Sequence, residues 1–400
     1  MVSLNQDSAT KLKVSDSAMD FGCGFDAARR SGYTRPLKSP IIKSAAMPAK
    51  PETPQQLLEI VRESKGPVTP VGGRTKPALS QSGEQISMSR LSGILEYQPS
   101  EFTFTALAGT PLAEINTELE KNGQYLTFDP PLIDAGATLG GTLAAGLSGP
   151  GAYRFGSVRD FVLGIEFVDG AAKDLLRAGG KVVKNAAGWD LPKFFAGSYG
   201  RFGILTELTF KVFPCPPASA TISWPIETID AGIELTRSLS RGPWEIDALE
   251  LDSDPLAVVV RLRGQPAAAE TRIARLLEAH PGGARVEGAP FWKSRANFEW
   301  ANPDHALVKV PLTPSRISKF DAALAEAGAR RVYSVGGNLG WVSHENASAI
   351  DSILTKFDLS GAAMRNSDQI LLGKSRQPAV LTALANTLAP GSAFPPIIGA

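Results

Sequence analysis

A chain of 400 residues with 39 Gly, 30 Pro, two Cys and a formal net charge of +1 has room for two or three domains at about 150 residues each. Lys+Arg (41) and Asp+Glu (40) balance, which leaves no basic footprint for a nucleic acid, and Cys23 and Cys215 are too few for a four-thiolate zinc or iron–sulfur site. His280, His305 and His344 are dispersed, and no apolar run reaches the roughly 18 residues of a membrane span, so the expectation is a metal-free cytoplasmic chain whose redox chemistry comes from an organic cofactor or another chain.

Residues 1–50 mix Ser, Asp, Lys and Pro without periodicity and read as an extended N-terminal arm. Gly22-Cys23-Gly24-Phe25-Asp26-Ala27 fits GxGxxA, but no strand-like run precedes it, so it reads as a turn or interface segment. Thr53-Pro54 opens a helix with Leu57, Leu58, Ile60 and Val61 on one side, stopped by Gly66. A strand at 67–71 then runs into Gly72-Gly73-Arg74-Thr75-Lys76. Phe102, Phe104 and Ala106 alternate as a strand, and Thr110-Pro111 caps a helix carrying Leu112, Ile115 and Leu119 to Gly123. After TLGGTLAAGLSGPG at 138–151, a strand is expected over 161–168. Another over 203–213 points Leu208, Phe210 and Val212 inward and Thr209 and Lys211 outward.

Pro214-Cys215-Pro216-Pro217 is the best linker in the chain and divides residues 51–217 from 218–400. Beyond it, strands such as 256–262 and 305–310 alternate with helices at about 267–279 and 314–328. That rhythm suits an α+β module with an antiparallel sheet and helices on one face. The Pro/Gly-rich end from Gly391 is expected to meander over the surface.

Two glycine-rich segments call for a physical explanation. In GGRTK at 72–76, glycines let successive amides converge, and in GGTLAAGLSG at 140–149 small residues let main chain approach a flat or charged ligand. Together they could make a nest for a pyrophosphate, with Arg74 and Lys76 as auxiliary cations; on glycine content alone, tight turns and a small-residue packing helix are the plainer reading. Gly180-Lys181-Val182 lacks the residues of a P-loop, and no GxGxxG lies between a strand and a helix.

Pro70–Lys76, Thr138-Leu139-Gly140-Gly141-Thr142 and Gly156–Gly164 together resemble the FAD-binding domain of the vanillyl-alcohol-oxidase, or PCMH, type. Lys184-Asn185-Ala186-Ala187-Gly188-Trp189-Asp190-Leu191, Ala196–Gly200 and Gly203–Glu207 narrow the likeness to the E-type flavin subunits of bacterial glycolate oxidases. The resemblance is strong over about 51–217, and it implies two α+β subdomains gripping an extended FAD, followed by a cap domain. It places residues 72–76 on one side of the pyrophosphate and Thr138, Gly140, Gly141, Ala145 and Ser148 on the other, with Ser157 nearby and Ile204 at the adenine end. Position 74 is Arg where the family often tethers flavin through His or Cys, and neither cysteine lies in a flavin loop, so noncovalent FAD is implied.

Oxidising a 2-hydroxy acid needs a base, a cation for the carboxylate and a hydride path to the flavin. Related oxidases carry a His-rich Gly-Asp-Gly-Asn segment; here Val335–Trp341 keeps glycines and Asn without His or Asp. His344 is a weak base candidate beside the reading of a hydrogen-bonded structural His, and Arg365 a weak carboxylate anchor beside that of a salt-bridged arginine. His280 reads as a helix-end residue, and Phe291, Trp292, Phe298 and Trp300, like Trp189, as core packing. The resemblance also implies partners: a sister flavoprotein subunit, an iron–sulfur subunit, a small 2-hydroxy acid and peripheral membrane attachment through the complex. The chain is then either an electron-accepting subunit inactive alone, or an assembly subunit with a silent flavin site.

Overall fold

Thr53 accepts the Gln56 amide and starts the helix Pro54–Glu63, whose Leu57 and Val61 are buried against the strand Val68–Val71 and its parallel partner Glu84–Ser87. In this computed structural model the described residues are 48–80, 82–180, 190–374 and 378–396. The arm up to residue 47, with Gly22–Ala27, and the segment 181–189, with Trp189, lie outside them.

The first half is built on a five-stranded antiparallel sheet in the order Ile94–Gln98, Thr103–Leu107, Ile204–Lys211, Val162–Val168, Leu175–Gly179. Leu208 and Phe210 face its core as the alternation predicts, but Thr209 is not solvated: it is covered and pairs with the Thr105 hydroxyl at 2.8 Å. Thr110 does not cap the next helix, Leu112–Glu120, which starts from Pro111; its hydroxyl instead accepts the Gly93 amide and ties down the turn before the helix. The helix Leu139–Ala144 packs on this sheet through Leu139 and Leu143.

Immediately after Pro217 the strand Ala218–Pro225 enters a nine-stranded, wholly antiparallel sheet. Its order is Ala284–Val286, Ala218–Pro225, Leu256–Gly264, Ala248–Ser253, Arg330–Ser334, Leu339–His344, Ala306–Pro311, Ser360–Arg365, Leu371–Gly373. Helices Ile229–Arg241, Pro266–Ala279, Ile317–Glu326 and Ala347–Lys356 cover one face, where Val258, Val260, Val308 and Val342 meet Ile273, Phe320 and Leu354. The other face turns toward the first half: Leu307, Trp341, Ala362 and Met364 join the core around Leu143, Leu147 and Phe195. A buried ionic cluster spans the same seam, with Arg261 donating to Asp129 and Asp247, and Arg263 also donating to Asp247.

Over residues 388–396 the chain does not meander. Ala393 accepts the Val68 amide at 2.9 Å, Leu388 accepts that of Gly170, and Phe394 is buried beside Val68. Phe394 and Ala389 thus join Leu57, Val61 and Ile86 in the core around the first strand. The aromatic run divides between two cores: Trp292 packs under Val259 and donates to Thr221, while Phe298 stands edge-on to Trp341 at 4.6 Å.

Candidate functional site

The parallel strand ending at Val71 delivers the loop 72–76 against the turn that precedes the helix Leu139–Ala144. The two segments touch so closely that only glycine fits. A Cβ on Gly73 would lie 1.7 Å from the Gly136 carbonyl oxygen, and one on Gly72 2.4 Å from the Thr138 hydroxyl. Together they border a cleft lined also by Pro70, Val71, Ala144, Tyr199, Gly200 and Leu205.

Of the residues singled out in the sequence, Gly72, Gly73, Arg74, Thr75, Lys76, Thr138, Gly140, Gly141, Ala145 and Ile204 all line this cleft. Ser148 and Ser157 do not. The Ser148 hydroxyl accepts the Val158 amide at 2.7 Å, and Ser157 caps a short turn with Asp160. The helix start offers close approach rather than donors, because the amides of Leu139, Gly140 and Gly141 are taken by Thr110 O, Ala108 O and the Thr138 hydroxyl. Donors come from the other loop: among the described residues, the amides of 72–76 have no protein acceptor.

The two auxiliary cations differ. Arg74, held at φ 55°, is exposed on the lip, whereas Lys76 is buried with its ammonium on the Thr75 hydroxyl at 2.8 Å and no carboxylate among the described residues. Burial lowers Lys76 to about 8. Arg201, which the sequence reading passed over, is buried beneath the same wall. It donates to Leu79 O, while Nε and Nη1 have no partner among the described residues, and burial lowers it to about 10. Converging amides over an uncompensated buried lysine are a donor set for a diphosphate.

The sequence's chemistry candidates stand elsewhere. His344 lies outside the cleft lining: Nδ1 accepts the Asn346 amide and Nε2 reaches Ala327 O, both at 3.0 Å. Arg365 donates to the carbonyls of Ala301, Asn302 and His305. The turn Val335–Gly337 packs Gly336 on Tyr153. Among the described residues no group of three or more His, Cys, Asp or Glu can hold a metal.

Residues 43–179 match the FAD binding domain family. Glycolate oxidase subunit GlcE of Escherichia coli (strain K12) is 35% identical over 297 residues, which are 72% of this chain and 80% of that protein. The chain belongs to the GlcE family. FAD is the cofactor of this GlcE-type flavoprotein, and the donor set just described fits its diphosphate. Glycolate oxidase subunit GlcD of Bacillus subtilis (strain 168) is 29% identical over 51% of the GlcE-type chain and 44% of GlcD. A D-lactate dehydrogenase of Anaerostipes hadrus is 32% identical over 44% of the chain and 37% of that enzyme, so both matches span less than half of the relative. A solved alkyldihydroxyacetonephosphate synthase structure aligns over 86% of the chain and 76% of its own with a TM-score of 0.65 and 16% identity, a shared fold.

Proposed function

We infer that this chain is the FAD-binding subunit of a glycolate-type 2-hydroxy-acid oxidase complex. In this role it takes part in oxidising glycolate to glyoxylate and relays electrons to a sister flavoprotein subunit and an iron–sulfur subunit. What carries the reading is the cleft, where acceptor-free amides of 72–76 surround a buried lysine that has no counter-ion among the described residues. The substrate class and the multi-subunit setting come from the names of the GlcE and GlcD relatives. Residues 51–217 then carry the cofactor and residues 218–400 cover it. Any membrane attachment is peripheral in this reading; no helix among the described residues is long and apolar enough to cross a bilayer.

Bound FAD supplies the two-electron acceptor. Lys76 offsets the diphosphate charge, Gly72 and Gly73 let the loop amides close on it, and Thr138 fixes the facing helix start by accepting from Gly141. Substrate oxidation also asks for a base and a carboxylate anchor. His344 and Arg365 are both committed to main-chain carbonyls, which supports a division of labour in which the sister subunit binds and deprotonates the 2-hydroxy acid.

The test is spectroscopic. The chain expressed alone should be yellow, acid precipitation should release all the colour, and anaerobic glycolate should leave the flavin oxidised until partner subunits are added. A colourless folded chain would make it an assembly subunit with a silent flavin site; colour that stays with the denatured protein would overturn noncovalent binding. Bleaching by glycolate alone would overturn the division of labour.

A further inference from the structure

Lys76, Arg201 and Lys309 are bases that the fold encloses without pairing them to a carboxylate among the described residues, whereas Arg261, Arg295 and Arg331 are each paired with one. Leaving a cation unpaired inside a protein is costly unless a ligand answers it. Lys76 lines the cleft and Arg201 is bonded to Leu79, which lines it too. Lys309 comes from the opposite side of the seam, and the established reading gives it no task.

Lys309 lies on the strand Ala306–Pro311, where Val308 and Val310 face the helices and Leu307 faces the first half. Alternation puts Lys309 on the same side as Leu307, in register with Trp341 and Ala362. Its ammonium donates to the carbonyl of Gly146, which directly follows the cleft-lining Ala144 and Ala145. Gly146 sits at φ 59° with Gly197 packed on it, and the Tyr199 amide donates to Ala144 O. Lys309 and Tyr199 are both largely covered; Tyr199 lines the cleft, and Lys309 reaches the main chain immediately after the cleft-lining Ala144 and Ala145. Burial lowers Lys309 to about 8, which still leaves it charged at neutral pH.

We propose that Lys309 is the charge-compensating residue for the redox end of the bound cofactor, its ammonium held at the glycine-rich wall by Gly146 so that it stabilises the negative charge of the reduced flavin ring. This rests on the FAD reading above. The two electrons and one proton that reach the neutral ring from the 2-hydroxy acid held by the sister subunit make it a monoanion. The hydroxyl proton passes to a base, and the 2-oxo acid departs. A fixed cation favours the right-hand side of that exchange.

Sulfite tests the charge without turnover, because its lone pair adds to the oxidised ring and leaves an anionic adduct. In the full chain loaded with FAD, Lys309→Gln keeps a donor for Gly146 but removes the charge, and should bind FAD at wild-type stoichiometry while losing about tenfold in sulfite affinity, equivalent to about 30 mV for a two-electron couple. Lys309→Met should show the same loss, and Lys309→Arg should stay near wild type. Unchanged sulfite affinity in whichever uncharged variant folds, or an equal loss in Lys309→Arg, overturns the proposal. An uncharged variant that folds without FAD makes Lys309 a binding residue instead. Wild-type chain that takes up no FAD would defeat the underlying reading.

Discussion

Replacing Gly73 by Ala tests the cofactor loop most directly. The added Cβ would sit 1.7 Å from the Gly136 carbonyl, so the loop and the facing turn must separate by about 1.3 Å merely to reach 3.0 Å, the lower limit for such contacts. Neither partner is the flexible end of a side chain, so the strain falls on backbone and should cost about 1–3 kcal/mol of stability. The larger effect is on the ligand. Displacing the loop by that distance breaks amide bonds to the diphosphate, and losing two charge-assisted bonds at about 1.5–3 kcal/mol each lowers FAD affinity by about 10²–10⁴-fold. Titrating FAD-stripped protein by flavin fluorescence or calorimetry measures this. Gly66→Ala is the control: no atom lies within 4 Å of its Cβ position and its φ is ordinary, so affinity should not change. A Gly73→Ala chain with wild-type stability and FAD affinity would refute the assignment of this loop to the cofactor.

Lys76 gives a pH signature. Burial holds it at about 8 in the FAD-free chain, so above that pH FAD binding must restore the lysine's proton. Affinity should then fall between about pH 8 and 10 with proton uptake, read from calorimetry in buffers of different ionisation enthalpy, and Lys76→Met should abolish the uptake. The unfolded chain keeps that proton to about pH 10.4, so Lys76 makes the FAD-free protein more stable as pH rises through this window, which thermal denaturation can follow. Asp247 accepts from both Arg261 and Arg263, so Asp247→Asn should destabilise the chain by about 3–5 kcal/mol in urea titrations. A change below about 1 kcal/mol would show the cluster to be effectively solvated.

The first half of the fold was legible because its signals are local: Thr53-Pro54 marks a helix start by hydrogen bonding within one turn, and the alternation at 203–213 marks a strand. The cleft residues were legible through several motifs in order, Pro70–Lys76, Thr138–Thr142 and Gly156–Gly164, rather than through the glycines alone. Long-range arrangements were not. Ser148 carries the small polar signature of a ligand contact, but its hydroxyl is consumed by Val158 ten residues on. Thr209 looks like a solvated strand residue and is covered because Thr105 stands opposite it. Lys309, alternating with valines, has the pattern of an outward lysine on a half-solvated sheet; only the packing of that second face against Gly146 turns it inward. Arg201 sits in a run read for its glycines, and nothing adjacent in sequence announces that it is buried with no carboxylate beside it among the described residues.

The contact between Ala393 and Val68 orders the assembly of the site in time. The strand that feeds the 72–76 loop borrows a hydrogen bond and the Phe394 side chain from residues made more than three hundred positions later. A ribosome-bound nascent chain would therefore expose an incomplete cofactor loop until residues 388–396 have emerged. FAD capture would then follow the folding of a segment far downstream of the loop that it helps to hold.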